Sequence, residues 1–576
     1  MNENVKVIFG LIGGLALFLY GMNSMSDALQ KAAGEKMKKI LEFLTKNPIM
    51  GALAGALVTA VLQSSSATTV MVIGFVSAGL MSLPQAISVI FGANIGTTMT
   101  AQLMAFKITD YIYPIIFIGF MMNFVCKKER VKNIGTVIFS FGLLFEGIEI
   151  MGSVMKPLAN SPVFIDLMGR VSDIPVLGVV LGAVMTLVVQ SSSATIAVLQ
   201  NFASQAGPDG VTSVIGLTGA IPILLGDNIG TTITALLASI GQSKNAKRTA
   251  IAHSIFNISG SIVFLFLIPW FAKFVQFISP KGAEVDVISR QIANAHTTFN
   301  VVCTLIWLPL IPVMVKIVTT IIRGDDRTAA EACKPVYLDN NVIDQPVAAM
   351  CLVSQELERL ADYGTAMLSE VKVSLVSEEN TEEQQIVEKS ISDVAHLGQS
   401  ISEYITRMLG SGTLTEAQSE QTAGLLFVTN SIQRVADRCQ DIHRLDAMIG
   451  QGDKNLSVEA KGDLRECVSV IQQLFEKAVQ SVKEGNTMVA RDVFRDKDAL
   501  RKIQRRCKKA HLSRIKKKKC ASELTEYFSE ILDNLERMAD SCAEIAEEAI
   551  DNIAFVVLEE DARRTNTPDI GVLKEA

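Results

Sequence analysis

Charge is scarce in this chain, and unevenly so. Only 19% of its 576 residues are Asp, Glu, Lys or Arg, against 49% hydrophobic. Up to about residue 322, apolar sequence is interrupted only by short basic loops. From Arg323 onward the shortage is of the opposite kind: charges are dense, and no apolar run is long enough to span a bilayer. An integral membrane domain followed by a soluble domain follows. Paired cysteines are also missing. The nine cysteines are scattered without a CxxC, which excludes a disulfide framework or zinc cluster and fits a reducing cytosol for the soluble part. The first apolar stretch, Val5 to about Met25, has no small-residue cleavage site behind it and reads as a retained helix. The net charge of −6 is small for this length and names no partner.

What the chain does have is a polar phrase, set in apolar sequence, that occurs twice. Gln63-Ser64-Ser65-Ser66-Ala67-Thr68 returns as Gln190-Ser191-Ser192-Ser193-Ala194-Thr195. A second phrase follows each copy: Gly92-Ala93-Asn94-Ile95-Gly96-Thr97-Thr98, then Gly226-Asp227-Asn228-Ile229-Gly230-Thr231-Thr232. Hydroxyls and amides at membrane depth are costly unless satisfied. Small residues also serve helix packing in membranes, but two phrases repeated in the same order point to two halves of one polar site.

The repeat extends upstream, where Leu19-Tyr20-Gly21-Met22 and Met25 align with Phe145-Glu146-Gly147-Ile148 and Met151. Basic loops favour the cytoplasm. They comprise Lys31, Lys36, Lys38, Lys39 and Lys46; Lys127, Lys128, Arg130 and Lys132; and Lys244, Lys247 and Arg248, before Arg323 opens the soluble part. With all of them cytoplasmic, the helix at 5–25 runs inward and its counterpart at about 134–155 runs outward, which makes an inverted repeat. Pro48 to Leu80 is too long for one span and too short for two, with Gln63–Ser66 in its middle. A re-entrant pair of half-helices accounts for that. Their N-termini would aim partial positive charge at an anion, while the uncharged serines hold it loosely enough to leave. The amides and threonines of the second phrase are hard oxygen ligands suited to sodium.

These doubled phrases resemble the type II sodium/phosphate cotransporter family over roughly residues 5–323. The resemblance implies sodium-driven movement of inorganic phosphate, with the serine clusters meeting at the substrate. It makes Gln63, Ser64, Ser65, Ser66, Gln190, Ser191, Ser192 and Ser193 the candidate phosphate ligands. Thr68, Asn94, Thr97, Thr98, Thr195, Asn228, Thr231 and Thr232 become the candidate sodium ligands. Asp227 has only Ala93 as counterpart. It is either an ion-site charge or a structural carboxylate.

A third doubled phrase is Ala252-His253-Ser254-Ile255-Phe256-Asn257 and Ala295-His296-Thr297-Thr298-Phe299-Asn300. His and Asn four apart share a helix face. Without carboxylate or cysteine companions, these histidines read as interhelical hydrogen-bonding groups rather than metal ligands. No nucleophile elbow is present, so a hydrolase is excluded.

The soluble part has helical periodicity, few glycines and almost no prolines. It carries a repeat of its own: Arg434-Val435-Ala436-Asp437 matches Arg537-Met538-Ala539-Asp540, with a shorter form at Arg359-Leu360-Ala361-Asp362. These phrases resemble the PhoU family, which implies two three-helix bundles in tandem. That resemblance offers Glu358, Asp362, Asp437, Glu536 and Asp540 as divalent-metal ligands, with Gln433 departing from the pattern. The alternative is ion pairing with arginines across helices. The basic run Arg501–Lys519 is a solvated face or a contact for anionic lipid. Without interleaved aromatics it does not read as a nucleic-acid site.

The fold class expected is all-α: a polytopic membrane domain of inverted repeats with re-entrant broken helices, then a PhoU-like pair of three-helix bundles. Expected boundaries are 1–323 for the membrane domain, 324–338 for a linker, 339–555 for the cytoplasmic domain and 556–576 for a tail. Repeat 1 covers about 5–126, repeat 2 about 133–240, and further helices occupy 249–323. The function expected is sodium-coupled phosphate symport across the plasma membrane by a protein that is not an enzyme. A phosphate exporter and a membrane-anchored phosphate-responsive regulator are the rival readings. Sodium is the co-substrate; phosphate, membrane lipids and a second copy of the chain are the partners considered.

Overall fold

The computed structural model describes residues 3–33, 47–106, 108–159, 173–207, 209–324, 334–375, 381–450 and 455–556. Lys36, Lys38, Lys39 and Lys46, most of the linker and nearly all of the tail lie outside the described residues. Among the described residues the chain is helical, with an isolated antiparallel bridge at Ala206 and Ser213 and no strand. It divides into two units, 1–327 and 328–557.

In the first unit α1 (Glu3–Ala33) is followed by α2 (Pro48–Leu62), α3 (Ser65–Ser77), α4 (Leu83–Met104), α5 (Ile112–Val125) and α6 (Glu129–Ala159). The second repeat supplies α7 (Pro175–Val189), α8 (Ser192–Ala203) and α9 (Gly216–Ala238). Then come α10 (Lys244–Phe266), α11 (Ile268–Ile278), α12 (Glu284–Trp307) and α13 (Ile311–Ile321). Among the described residues, four helices are long and apolar enough to cross a membrane: α1, α6, α9 and α10. Two bent pairs add to them, α4 with α5 at 80° and α12 with α13 at 85°. Phe9, Phe117, Phe124, Trp270 and Phe277 stay exposed on the outer surface, as apolar solvent demands.

The half-helices have a direct geometric signature. A straight helix would put residues nine apart roughly 13 Å from each other along its axis. Yet Thr59 Oγ1 donates to Thr68 Oγ1 at 2.8 Å, and Thr186 Oγ1 lies 3.0 Å from Thr195 Oγ1. Each pair of arms therefore folds back on itself at the glutamine. Gln63 and Gln190 take the left-handed conformation, φ 52° and 54°, that ends α2 and α7. Outside glycine this conformation is uncommon, and such strain is often held at functional sites.

The arms lie unusually close to the helices behind them. A Cβ on Gly92 would come within 1.8 Å of the Ala52 carbonyl oxygen, and one on Gly226 within 2.0 Å of that of Val179. Small residues let α2 meet α4, and α7 meet α9, at backbone distance.

In the second unit, α14 (Pro346–Ser374), α15 (Thr381–Gly410) and α16 (Glu416–Gly450) form one three-helix bundle. A second is made by α17 (Val458–Glu484), α18 (Thr487–Lys516) and α19 (Thr525–Ile550). Helices α16 and α19, which carry the repeated Arg-x-x-Asp phrase, pack together between them. The last described residues clasp both bundles: Phe555 N–H donates to Val482 O at 3.1 Å, and Val556 N–H to Ser354 Oγ at 2.9 Å. At the start of the unit, the fully buried Glu356 pairs with Arg359 and accepts the Val336 and Tyr337 N–H groups at 2.9 and 2.7 Å. Glu356→Gln removes the charge paired with Arg359, which keeps the Lys334 carbonyl, a loss of about 1.5–3 kcal/mol for a charge-assisted hydrogen bond. A lower melting temperature with lost hydrogen-exchange protection at Tyr337 is the expected result.

Candidate functional site

The two serine phrases come together at one cavity of about 310 Å³, lined by Gln63–Ser66 and Gln190–Ser193 with Asn23 and Ser26 of α1. No charged side chain is among its described lining residues. Helices α3 and α8 both start here. Ser64 caps α3 by accepting Ala67 N–H at 3.2 Å, and Ser191 caps α8 by accepting Ala194 N–H at 3.3 Å. First-turn N–H groups have no intrahelical acceptor, and each helix start carries partial positive charge. Two such starts at one uncharged hydroxyl-lined space offer hydrogen-bond donors and partial positive charge of the kind that suits an oxyanion. At about 30 Å³ per water, the cavity also has room for solvent alongside one.

None of the remaining candidates is among the residues that line that cavity. Gln63 Oε1 accepts Thr100 Oγ1–H at 2.8 Å, which ties the first tip to α4. Thr234 of α9 donates to Ser66 at 3.1 Å, so the second repeat holds the first tip as well. Thr68 and Thr195 sit behind the serines in the threonine pairs already described. Thr98 and Thr232 donate to the backbone of Ile95 and Ile229, both at 2.8 Å, and Thr231 donates to Asp227 O at 3.0 Å. Thr97 is buried, and its hydroxyl has no partner.

Asn94 and Asn228 are committed elsewhere. Each donates to its own helix, to Ile90 O and Leu224 O at 3.1 Å. Each also presents Oδ1 to a histidine, His253 Nε2 at 3.1 Å and His296 Nε2 at 3.2 Å. The third doubled phrase thus braces the second one. Phe91, beside Gly92, stacks on Phe256 of the same phrase with centroids 4.7 Å apart.

Asp227 breaks the symmetry. Its carboxylate is fully buried and accepts Thr186 Oγ1–H at 2.6 Å, while Oδ2 has no partner. It therefore joins the Thr186–Thr195 pair, where the first repeat has only Thr59 and Thr68.

In the second unit, the carboxylates offered as metal ligands meet cations. Glu358 pairs with Lys483 at 2.6 Å, Asp540 with Lys497 at 2.7 Å and Glu536 with Arg501 at 3.2 Å. Burial, and then the neighbouring Glu358, hold the Asp362 carboxyl above its usual range against the pull of Lys483. Asp437 is exposed on α16. Sequence reasoning missed a different trio, Asp463, Glu466 and Cys507, whose ligand atoms lie within 4.8 Å of one another. Arg514 and Arg506 already pair with its two carboxylates. No local spacing could have exposed a set split between α17 and α18.

The family described as Na+/Pi-cotransporter matches residues 17–153 and 154–279, and the PhoU domain matches 464–549. The chain belongs to the Na+/Pi-cotransporter family, a family of phosphate transporters, and carries a PhoU domain at its C-terminal end. It is 34% identical over 270 residues to "Uncharacterized protein YqeW" of Bacillus subtilis, covering 47% of this chain and 85% of that one. Similarity to "Putative inorganic phosphate export protein YjbB" of Escherichia coli K12 is 23% over 540 residues, 92% of this chain and 94% of that one. A 97-residue stretch is 37% identical to "Sodium-dependent phosphate transport protein 2A" of Rattus norvegicus, 16% of this chain and 15% of that one. No solved structure matches.

Proposed function

We propose that this protein moves inorganic phosphate across the plasma membrane by sodium-coupled symport. Phosphate is held between the two hairpin tips, and the PhoU-like unit acts as a cytoplasmic regulator. The observation that carries the reading is the shared cavity: Ser64–Ser66 and Ser191–Ser193 line one space at two helix starts. Uncharged ligands suit a cargo that must be released, since a fixed arginine would lower its escape rate. Sodium is assigned to the oxygens behind the tips, Thr68 and Thr97 in the first repeat, and Thr195, Thr231 and Asp227 in the second. Asn94 and Asn228 act there by position, because their amides already serve the histidines. Moving the two tips against the α1–α6 pair would expose the cavity to one side at a time, as inverted repeats allow.

Export is the second reading. It is favoured by the relative named for export, which is similar along nearly the whole chain, soluble part included. Direction is a matter of gradients acting on one site. Radiolabelled phosphate flux in proteoliposomes under imposed sodium gradients decides it. Inward sodium should drive uptake, and flux indifferent to sodium would overturn the coupling.

Truncation after Gly324 removes neither tip, because every cavity residue precedes it. Uptake by the truncated protein should persist at a changed rate, whereas loss of phosphate binding would show that the second unit completes the site. For the PhoU-like unit, a divalent metal would have to displace Lys483, Lys497 and Arg501 from their carboxylates. Chelator should leave its melting temperature unmoved, and a fall of several degrees would reinstate a metal there.

A further inference from the structure

Away from the serine tips, the membrane unit holds a second cavity of about 370 Å³. Helix α8 connects the two: it begins at the serine cavity, and its far end lines this one with Gln200, Asn201, Ser204 and Gln205. Glu149 of α6, Asp286 of α12, Thr109, Ser153 and Ser289 are the other polar residues of its lining. Glu149 lies 20 residues along α6 from Glu129, roughly 30 Å at the helical rise. The cavity therefore sits at the end of the unit remote from the Lys127–Lys132 loop.

The amide nitrogens here are already used. Gln200 Nε2 donates to Ala101 O at 3.1 Å and Ser289 O at 3.0 Å; Asn201 Nδ2 donates to Ile148 O at 2.7 Å; Gln205 Nε2 donates to Asn201 O at 3.2 Å. What remains is oxygen. Gln200 is 3% exposed, and its Oε1 has no partner in the protein. A buried acceptor left unpaired is destabilising, and a ligand that supplies the missing partner removes that cost. The nearby cation, Arg290, is tied to the wall by Gln102 Oε1 at 2.7 Å and lies over the Phe106 ring.

The first repeat keeps the serine, Ser77 for Ser204, but lacks the three amides. The register that carries Gln63 onto Gln190 carries Ile73, Gly74 and Ala78 onto Gln200, Asn201 and Gln205. Ile73 is fully buried and packs with Ala235, Ala246 and Ala250. One hairpin is backed by an apolar plug at Ile73, beside a Ser77–Gln242 hydrogen bond at 2.7 Å, and the other by a hollow lined with polar side chains. Packing alone would favour the plug in both.

We propose that this cavity is a binding site for a small hard cation. It lies at the other end of α8 from the phosphate cavity, with Gln200 Oε1 as the innermost ligand and the Glu149 carboxylate drawing the ion in. That the ion is sodium rests on the symport reading; that a cation binds does not.

Full-length protein carrying Gln200→Leu or Glu149→Gln tests the proposal in proteoliposomes and in detergent. At saturating phosphate, half-saturating sodium should rise roughly threefold to tenfold, the scale of one lost ligand. The phosphate half-saturation measured at saturating sodium should stay unchanged. In detergent, sodium chloride should raise the wild-type melting temperature above a choline chloride control and raise that of the variants less. Calcium or magnesium doing so in place of sodium would keep the cation site and change its ion. Equal cation shifts in wild type and both variants would overturn the proposal, even if Gln200→Leu is poorly folded, because Glu149 is exposed. If wild-type uptake ignores sodium, symport fails while the melting comparison still decides this site.

Discussion

Phosphate uptake by Ser65→Ala and by Ser192→Ala is expected to fall about 10- to 100-fold in kcat/KM, with the protein still folded. Each serine is the first residue of a helix that starts at the shared cavity, Ser65 on α3 and Ser192 on α8. A hydrogen bond to a charged ligand is worth about 1.5–3 kcal/mol, and about 1.4 kcal/mol is tenfold in rate or affinity. Neither serine caps its helix, since Ser64 and Ser191 do that. The substitutions thus remove ligand contacts and spare the hairpin. Wild-type uptake in either variant, with unchanged melting, would mean that its tip does not touch the cargo.

The second large effect is structural. Gly92→Leu and Gly226→Leu should give no folded membrane unit, because each side chain must enter a space already held by the facing backbone carbonyl. Backbone cannot swing aside as a flexible side chain can, so the hairpin arm would be levered off its helix. Gly13→Ala is the control. Nothing lies within 4 Å of a Cβ there, and the substitution should be silent or mildly stabilising. Size-exclusion profiles in detergent separate the outcomes, and a monodisperse Gly92→Leu protein would contradict the close-packed arms.

Much of this was legible in sequence because the repeat is written in residues whose chemistry is conspicuous in apolar surroundings. Gln63-Ser64-Ser65-Ser66 and its copy located both tips, and their position inside a run too long for one span suggested the broken helices. The Arg-x-x-Asp phrases, about a hundred residues apart, likewise indicated two bundles. Interactions that join distant segments were not legible. Nothing local to Asn94 says that its Oδ1 meets His253, 159 positions away. Nor does Gln200 look different from a packing amide until Ala101 and Ser289 are seen to take its nitrogen. The carboxylates of the second bundle could be read either as ligands or as ion-pair partners. Lys483 and Lys497 reach them from neighbouring helices, outside any motif.

The paired histidine braces also govern how the chain can be made. Asn94 lies in the first repeat, but its partner His253 follows the second repeat, and Asn228 likewise waits for His296. At about 5–20 residues per second of synthesis, roughly 8–32 s pass between the emergence of Asn94 and that of His253. Throughout that interval Asn94 Oδ1 on α4 lacks its histidine partner, and the first hairpin's tip lacks its counterpart. The first half of the membrane unit is therefore expected to stay incompletely braced until α10 is made. Ribosomes stalled between these two points should carry a protease-sensitive first hairpin, and those stalled beyond α12 a protected one.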